Sequence, residues 1–350
     1  MSGKGKGKIG FFEKYLTIWV ALCMIIGIFI GKWLPSIPTF LNKFEYAKVS
    51  IPIALLIWLM VYPMMLKVDF QSIKNVKKNP KGLFVTWVTN WLIKPFTMFG
   101  IAWFFFFVVF KGLIPIELAK GYLAGAILLG AAPCTAMVFV WSHLTKGDAA
   151  YTVVQVATND LIILVAFTPI VAFLLGVSGV SIPWDTLILS VVLFVLIPLI
   201  AGILTRHLIT KRRGITYFEK EFIPKFNQVT IFGLLLTLVI IFSFQGEMIL
   251  ANPLHIVLIS IPLVIQTFLI FFIAYFSSRY FKLPYNIAAP AGMIGASNFF
   301  ELAVAVAIAL FGTQSPAALA TTVGVLTEVP VMLMLVAIAN KTKHWFPDEG

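Results

Sequence analysis

Long runs of apolar residues, separated by short polar segments, dominate the chain. A membrane-crossing helix needs about 20 apolar residues, because each residue adds about 1.5 Å along the axis. Ten runs are long enough, and we interpret the first as a retained span, since no cleavage site of small residues follows it. The pattern therefore predicts an all-α integral membrane protein with ten transmembrane helices. The runs cover residues 15–34, 49–66, 82–110, 121–143, 149–175, 184–205, 227–246, 253–278, 286–311 and 316–339.

The positions of the basic residues predict the orientation of these helices. With ten spans, 20 of the 26 Lys and Arg residues fall on the side of the N-terminus, five fall on the opposite side, and Lys94 lies inside a span. Loops rich in Lys and Arg stay in the cytoplasm. Both termini are therefore predicted to be cytoplasmic, in a multi-pass protein of the cell membrane.

The two halves of the chain predict an inverted repeat. Five spans fall within residues 15–175 and five within 184–340, between tails at 1–14 and 341–350. Five spans per half give the halves opposite orientations, which is the architecture of many secondary transporters. The fourth and ninth spans also contain matching helix-breaking segments, and we expect both helices to be broken there. The residues that predict the breaks are Gly130, Pro133 and Gly295.

Composition excludes several other classes of protein. Only 11% of the residues are charged, whereas a soluble domain has about 25%. The net charge of +12 does not indicate nucleic-acid binding, because the basic residues lie between apolar runs, and membrane lipid is the expected surrounding. We find no nucleotide-binding or hydrolase motif, no metal-ligand spacing among the four His residues and no pair of nearby cysteines. No cofactor and no enzymatic activity are predicted.

Four ionisable residues lie inside the apolar runs: Lys94, Asp160, Glu301 and Glu328. Each would cost about 2.5–3.5 kcal/mol at the centre of a lipid-facing helix. They should therefore face protein or water, where an intramembrane charge indicates function. Glu328, beside Pro330, fits a structural role equally well.

Polar stripes accompany two of these residues. Thr86, Asn90 and Thr97 share the helix face of Lys94, and Thr152 and Gln155 share that of Asn159. We expect both faces to point inward, where Lys94 and Asp160 could pair. Snorkelling or a structural ion pair is the alternative for Lys94, and interhelical hydrogen bonding is the alternative for Asn159 and Asp160. The functional interpretation of Lys94, Asn159, Asp160 and Glu328 is a supporting role in coupling.

Glu301 and Cys134 follow the two predicted breaks. A half-helix beginning near Asn298 would present free N–H groups and the positive end of its dipole to Glu301. The same place could bind a polar solute, and a partly desolvated Glu301 could exchange a proton; helix capping is the alternative role. Cys134, next to Pro133, could equally be a small buried apolar residue. Cys23 has no polar neighbours and is predicted to be structural.

Four motifs in these segments resemble those of the arsenical-resistance efflux permeases, which belong to the bile acid/arsenite/riboflavin transporter superfamily. The similarity extends from about residue 12 to 340. The motifs are Ala132–Ser142 followed by Leu144–Asp148, Asn159–Ile162, Gly295–Ala303 and Thr327–Pro330.

The resemblance implies export of trivalent arsenic as arsenite, in exchange for protons. It implies ten spans whose fourth and ninth are unwound where they cross, with a core of helices 3–5 and 8–10 and a panel of helices 1, 2, 6 and 7. It makes Cys134 the essential arsenic(III) ligand and Glu301 an important carboxylate. On this basis we expect Cys134, Asn298 and Glu301 to bind substrate.

Other functions remain open from the sequence. A sodium-coupled carrier of organic anions could use Asn159, Asp160, Asn298 and Glu301 as ion ligands. An intramembrane enzyme would need Cys134 or Asp160 as its catalyst, but no nucleophile–base motif supports it. A channel is the third alternative. Transport of antimonite and assembly into a homo-oligomer are not determined by the sequence.

Overall fold

A computed structural model describes residues 15–46, 49–68, 80–135, 137–180, 183–251 and 253–347. The predicted tail at 1–14 and the end of the C-terminal tail, 348–350, lie outside these ranges. So do the basic loop residues Lys48, Lys74, Lys77 and Lys78, on which part of the orientation argument depends.

The first half of the chain is helical apart from one small hairpin. Strands β1 (Glu45–Tyr46) and β2 (Val49–Ser50) pair antiparallel. Single π-helical turns at Thr89–Ile93 and Phe105–Val109 continue two of the helices. The helices are α1 Leu16–Trp33, α2 Ser36–Asn42, α3 Ile51–Lys67, α4 Pro80–Val88, α5 Lys94–Phe104, α6 Ile116–Gly130, α7 Met137–Leu144 and α8 Ala149–Val177.

The second half is also helical, and its described residues contain no hairpin. Further π-helical turns occur at Val192–Leu196 and Phe218–Phe222, and a 3-10 turn at Lys343–Trp345 follows the last helix. The helices are α9 Trp184–Val191, α10 Ile197–Tyr217, α11 Lys225–Ala251, α12 Pro253–Tyr280, α13 Tyr285–Ala296, α14 Phe300–Phe311 and α15 Pro316–Lys341.

The prediction of an all-helical membrane protein is confirmed at this level. Within the described residues, six continuous helical segments are long and apolar enough to cross a membrane. The hairpin and α2 were not predicted. The sixth predicted span ends near 205, whereas its helix continues to a kink at Gly214 (φ +83°), and helical turns resume from there to Phe222. The helix extends beyond the apolar run because Lys and Arg favour a helix about as strongly as Leu does. The six segments are Pro80–Val109, Ala149–Val177, Trp184–Phe222, Gln228–Ala251, Pro253–Tyr280 and Pro316–Lys341.

Two helices are broken, and the breaks are joined to each other. The first lies between α6 and α7, the second between α13 and α14. The backbone N–H of Phe299 donates to the carbonyl of Ala132 (3.0 Å), and the N–H of Cys134 donates to the carbonyl of Ser297 (3.2 Å). Each break therefore satisfies polar backbone groups that lipid could not satisfy. The predicted breaks in the fourth and ninth spans are thus present.

The helices, broken ones included, pack in two groups. In the small helix group, α11 packs along α1 and α3, and α3 also packs on α10. In the large helix group, α15 packs along α6, α12 and α14, while α12 packs along α13 and α5. Helix α8 contacts α7 and α6 of the large group, and α9 bridges α8 and α14. The joined breaks belong to the large group.

Close approach of α6 and α15 requires a glycine at position 125. A Cβ atom there would collide with the Ala317 carbonyl oxygen and lie 2.7 Å from the Cβ of Ala320, whereas one at Gly100 would meet nothing within 4 Å. We expect Gly125→Ala to destabilise the protein by about 1–3 kcal/mol through overpacking. Gly100→Ala should be neutral or stabilising, since alanine favours helix. Midpoints of thermal unfolding in detergent would test this, and equal midpoints would contradict the packing described.

Candidate functional site

Ser297 is the centre of the polar contacts at the joined breaks. Its carbonyl oxygen accepts hydrogen bonds from the Lys94 ammonium (Nζ–O 2.7 Å) and from the Cys134 N–H. Its hydroxyl donates to Glu328 Oε1 (2.6 Å). Ser297 thus connects α5, the α6–α7 break and α15.

Lys94 is directed to this centre by the π-helical turn that precedes it. Its backbone N–H donates to the Thr89 carbonyl, five residues back, so the turn contains one residue more than an α-helical turn. From α12, Gln266 Nε2 donates to the Lys94 carbonyl (3.0 Å) and to Thr97 Oγ1 (2.9 Å). These contacts fix the backbone from which the Lys94 side chain extends.

Cys134 lies in the first break, three residues before α7 begins. Its side chain is 1% exposed, and its sulfur is within hydrogen-bond reach of the Ser297 side chain and of the Met137 backbone N–H. Met137 is the first residue of α7, so the sulfur lies beside the N-terminal, positive end of a half-helix. The predicted break residues lie around it: Gly130 ends α6, Pro133 pairs with Asn298, and Gly295 lies in the last turn of α13.

Asn298, Glu301 and Glu328 surround the second break. Glu328 Oε1 accepts from the Asn298 N–H (3.1 Å), and Glu301 lies in the first turn of α14. Three side-chain oxygens here have no hydrogen-bond partner among the described residues: Asn298 Oδ1, Glu301 Oε2 and Glu328 Oε2. Buried oxygens of this kind can accept hydrogen bonds from the hydroxyl groups of a solute.

The two predicted polar stripes face the interior. Thr86 Oγ1 and Tyr151 Oη are 2.9 Å apart, and Trp91 Nε1 donates to Asn159 Oδ1 (3.2 Å). All four intramembrane ionisable residues are buried, with Glu328 the most exposed at 7%. That part of the sequence prediction is confirmed.

The expected pairing of Lys94 with Asp160 is wrong for this structure. Neither carboxylate oxygen of Asp160 has a partner among the described residues, and Lys94 reaches Ser297 instead. The reason is the break in the ninth span, which exposes a backbone carbonyl that the pattern of charges could not reveal.

Two small cavities lie between the helix groups, and Phe300 and Leu234 line both. The first, of about 30 Å³, contains Glu328, Met137 and Trp141, and the Trp141 indole N–H has no partner among the described residues. The second, of about 10 Å³, contains Glu301 and Met60. About 10–15 Å³ is needed for one water molecule. Each cavity is therefore lined by a carboxylate and a thioether, and it has room for no more than a few water molecules.

This arrangement can bind a small solute through a single soft sulfur and several oxygens. Within the described ranges, no group of three or more His, Cys, Asp or Glu residues could hold a metal ion. The site thus offers one thiol, amide and carboxylate oxygens and two half-helix N-termini.

Sequence reasoning missed two residues of the site. Ser297 lies in one of the motifs, but the sequence assigned it no role. Its partners Cys134 and Glu328 are 163 and 31 residues away along the chain. Gln266 was missed because it lies in no motif and beside no charged residue of its apolar span. A polar residue at a predicted break was the available signal for Ser297.

Comparison with known proteins gives concordant matches. The model of the sodium bile acid symporter family matches residues 54–252. The chain is 68% identical over 345 residues to arsenical-resistance protein Acr3 of Alkaliphilus metalliredigens, covering 99% of this chain and 96% of that protein. It is 49% identical to an uncharacterized transporter of Synechocystis (98% and 92% covered) and 35% identical to Acr3 of Corynebacterium glutamicum (94% and 89%).

Proposed function

The chain belongs to the Acr3 family of arsenical-resistance transporters, within the sodium bile acid symporter family, and on that premise we propose that it exports arsenite from the cytoplasm in exchange for protons. The family consists of transporters, so an enzymatic function is excluded as the sequence predicted. The coupling ion, the orientation and the roles of individual residues are part of the proposal.

The observation that carries the proposal is the single thiol at the joined breaks. Arsenous acid is mostly uncharged near neutral pH, and its soft trivalent arsenic exchanges hydroxyl groups for thiolate. Three thiolates would retain it, whereas Cys134 with the oxygens of Asn298 and Glu301 could bind it and release it. Transport requires this balance between binding and release.

Proton coupling is assigned to Glu301. Its Oε2 atom has no partner in the described part of the chain, and the residue lines the cavity that separates the helix groups. A proton arriving from outside binds Glu301 and excludes arsenite. Loss of that proton to the cytoplasm allows the next arsenite to bind, so the two ligands alternate. Asn159, Asp160 and Glu328 support this exchange.

The proposed architecture has ten spans in two inverted five-helix repeats, with both termini cytoplasmic. The spans are the six long segments, α1, α3 and the broken pairs α6–α7 and α13–α14. The large helix group would be the core (helices 3–5 and 8–10), and the small group, with α9, the panel (helices 1, 2, 6 and 7). Since each of the cavities between them has room for no more than a few water molecules, we expect core and panel to move apart as access alternates.

Everted membrane vesicles that contain the protein provide the test. With the interior acidified, we expect arsenite to accumulate inside against its gradient, and an uncoupler should abolish the accumulation. Vesicles without the protein are the control. Arsenite flux that never exceeds equilibration would indicate a channel, and accumulation that ignores the uncoupler would contradict proton antiport.

Sodium-coupled uptake of an organic anion is the second candidate. Carboxylate and amide oxygens are suitable sodium ligands, and both Asp160 oxygens join Asn298 Oδ1 and Glu301 Oε2 in having no partner among the residues described. The matched family model is also named for sodium symport. Organic-anion flux driven by a sodium gradient, without arsenite export, would favour this candidate.

A further inference from the structure

We propose that the Lys94 ammonium is a built-in replacement for a bound alkali cation at the joined breaks, so that transport by this chain requires no sodium. The inference rests on the proposed function only in assuming that a coupling ion is needed. The excluded ion is sodium, and the Lys94 ammonium excludes it.

The place that the Lys94 ammonium occupies would also suit a bound alkali cation. Ser297 directly follows the last residue of α13, where the final carbonyls of a half-helix carry partial negative charge. The Lys94 Nζ atom lies 2.7 Å from the Ser297 carbonyl oxygen, and the same serine's hydroxyl holds the Glu328 carboxylate. Broken-helix transporters coordinate sodium with unwound carbonyls and the C-terminal ends of half-helices.

Because Glu328 is buried, its carboxylate needs a positive charge nearby, and Lys94 supplies it. Lys94 is 1% exposed and Glu328 is 7% exposed, and Ser297 lies between them, bound to Lys94 through its carbonyl and to Glu328 through its hydroxyl. A buried carboxylate without a nearby cation is costly. A covalently attached ammonium supplies a positive charge at this place, and no ion has to be taken from solution.

The Lys94 backbone is held so that the ammonium is already in place. The π-helical turn Thr89–Ile93 sets its direction, and Gln266 binds its carbonyl from α12. A sodium ion would compete for the same carbonyl oxygen beside a like charge. The ammonium therefore excludes sodium both by occupying the carbonyl and by repulsion.

Removing the ammonium should create a cation site. In Lys94→Ala, the Ser297 carbonyl loses its charged donor, Glu328 loses its nearby positive charge, and the side chain leaves space beside both. We expect sodium or lithium chloride to raise the midpoint of thermal unfolding of purified Lys94→Ala by several degrees, saturably, relative to choline chloride of equal ionic strength. The wild-type protein should show the same midpoint in all three salts.

Two further variants control this experiment. Lys120 is an exposed lysine paired with Glu117 at 3.2 Å, and Lys120→Ala should respond to the three salts as the wild type does. Lys94→Arg keeps the positive charge and should remain insensitive to sodium. If Lys94→Ala cannot be purified, Lys94→Gln takes its place, because it also removes the charge.

Two results would overturn the inference. One is a sodium-dependent midpoint, or sodium-dependent arsenite flux, in the wild-type protein. The other is a folded Lys94→Ala or Lys94→Gln protein whose midpoint is the same in sodium, lithium and choline. Because unfolding is measured without arsenite, failure here is distinguishable from failure of the proposed export.

Discussion

Cys134→Ala is expected to reduce arsenite export to less than roughly a tenth of the wild-type rate, while the protein remains folded. A tenfold loss of rate corresponds to about 1.4 kcal/mol in the activation free energy of transport. Cys134 supplies the single sulfur at the joined breaks. Its backbone N–H, which donates to Ser297, is retained in alanine. The fold should therefore survive while the soft ligand is lost.

Cys23→Ala is the matched control for this variant. Cys23 and Cys134 are the two cysteines of the chain, and both are buried and free. Cys23 lies in α1 of the small helix group, whereas the joined breaks belong to the large group. Arsenite accumulation in everted vesicles should be unchanged in Cys23→Ala. Export by Cys134→Ala at the wild-type rate would refute the role of the thiol.

Glu301→Gln is expected to abolish arsenite accumulation driven by a proton gradient. Glutamine preserves the shape of the side chain but can neither take up nor release a proton at neutral pH. Since Glu301 lies in the first turn of α14, a neutral amide there should not disturb the helix. Alternation between proton and arsenite would then stop.

Glu117→Gln provides the control for Glu301→Gln. Glu117 lies in the first turn of α6, is 78% exposed and pairs with Lys120. Its removal should leave the accumulation unchanged. The measurement is arsenite uptake into acidified everted vesicles. Uptake by Glu301→Gln that still responds fully to the gradient would contradict the assignment of proton coupling to this residue.

Much of the fold was predictable because the bilayer imposes simple rules. A length of about 20 apolar residues located the helices, and Gly130, Pro133 and Gly295 located the breaks. The end of α10 and the hairpin β1–β2 were not predictable, since both lie where hydropathy no longer determines the structure.

The polar contacts of the site were less predictable. Burial of Lys94, Asp160, Glu301 and Glu328 followed from the cost of charge in lipid, but their partners did not. The partner of Lys94 is a backbone carbonyl of Ser297, 203 residues away, which becomes available only when a helix breaks. The π-helical turn that directs Lys94 to it has no clear signature in the residues themselves.

Arsenic K-edge X-ray absorption of the purified protein with bound arsenite tests the central claim most directly. With arsenic bound at the joined breaks, the spectra of the wild-type protein and of Cys23→Ala should both show one sulfur neighbour of arsenic. Oxygen atoms should complete the coordination shell of arsenic. Cys134→Ala should show oxygen alone. A wild-type spectrum without sulfur, or a sulfur neighbour that persists in Cys134→Ala, would contradict binding of arsenite by this thiol.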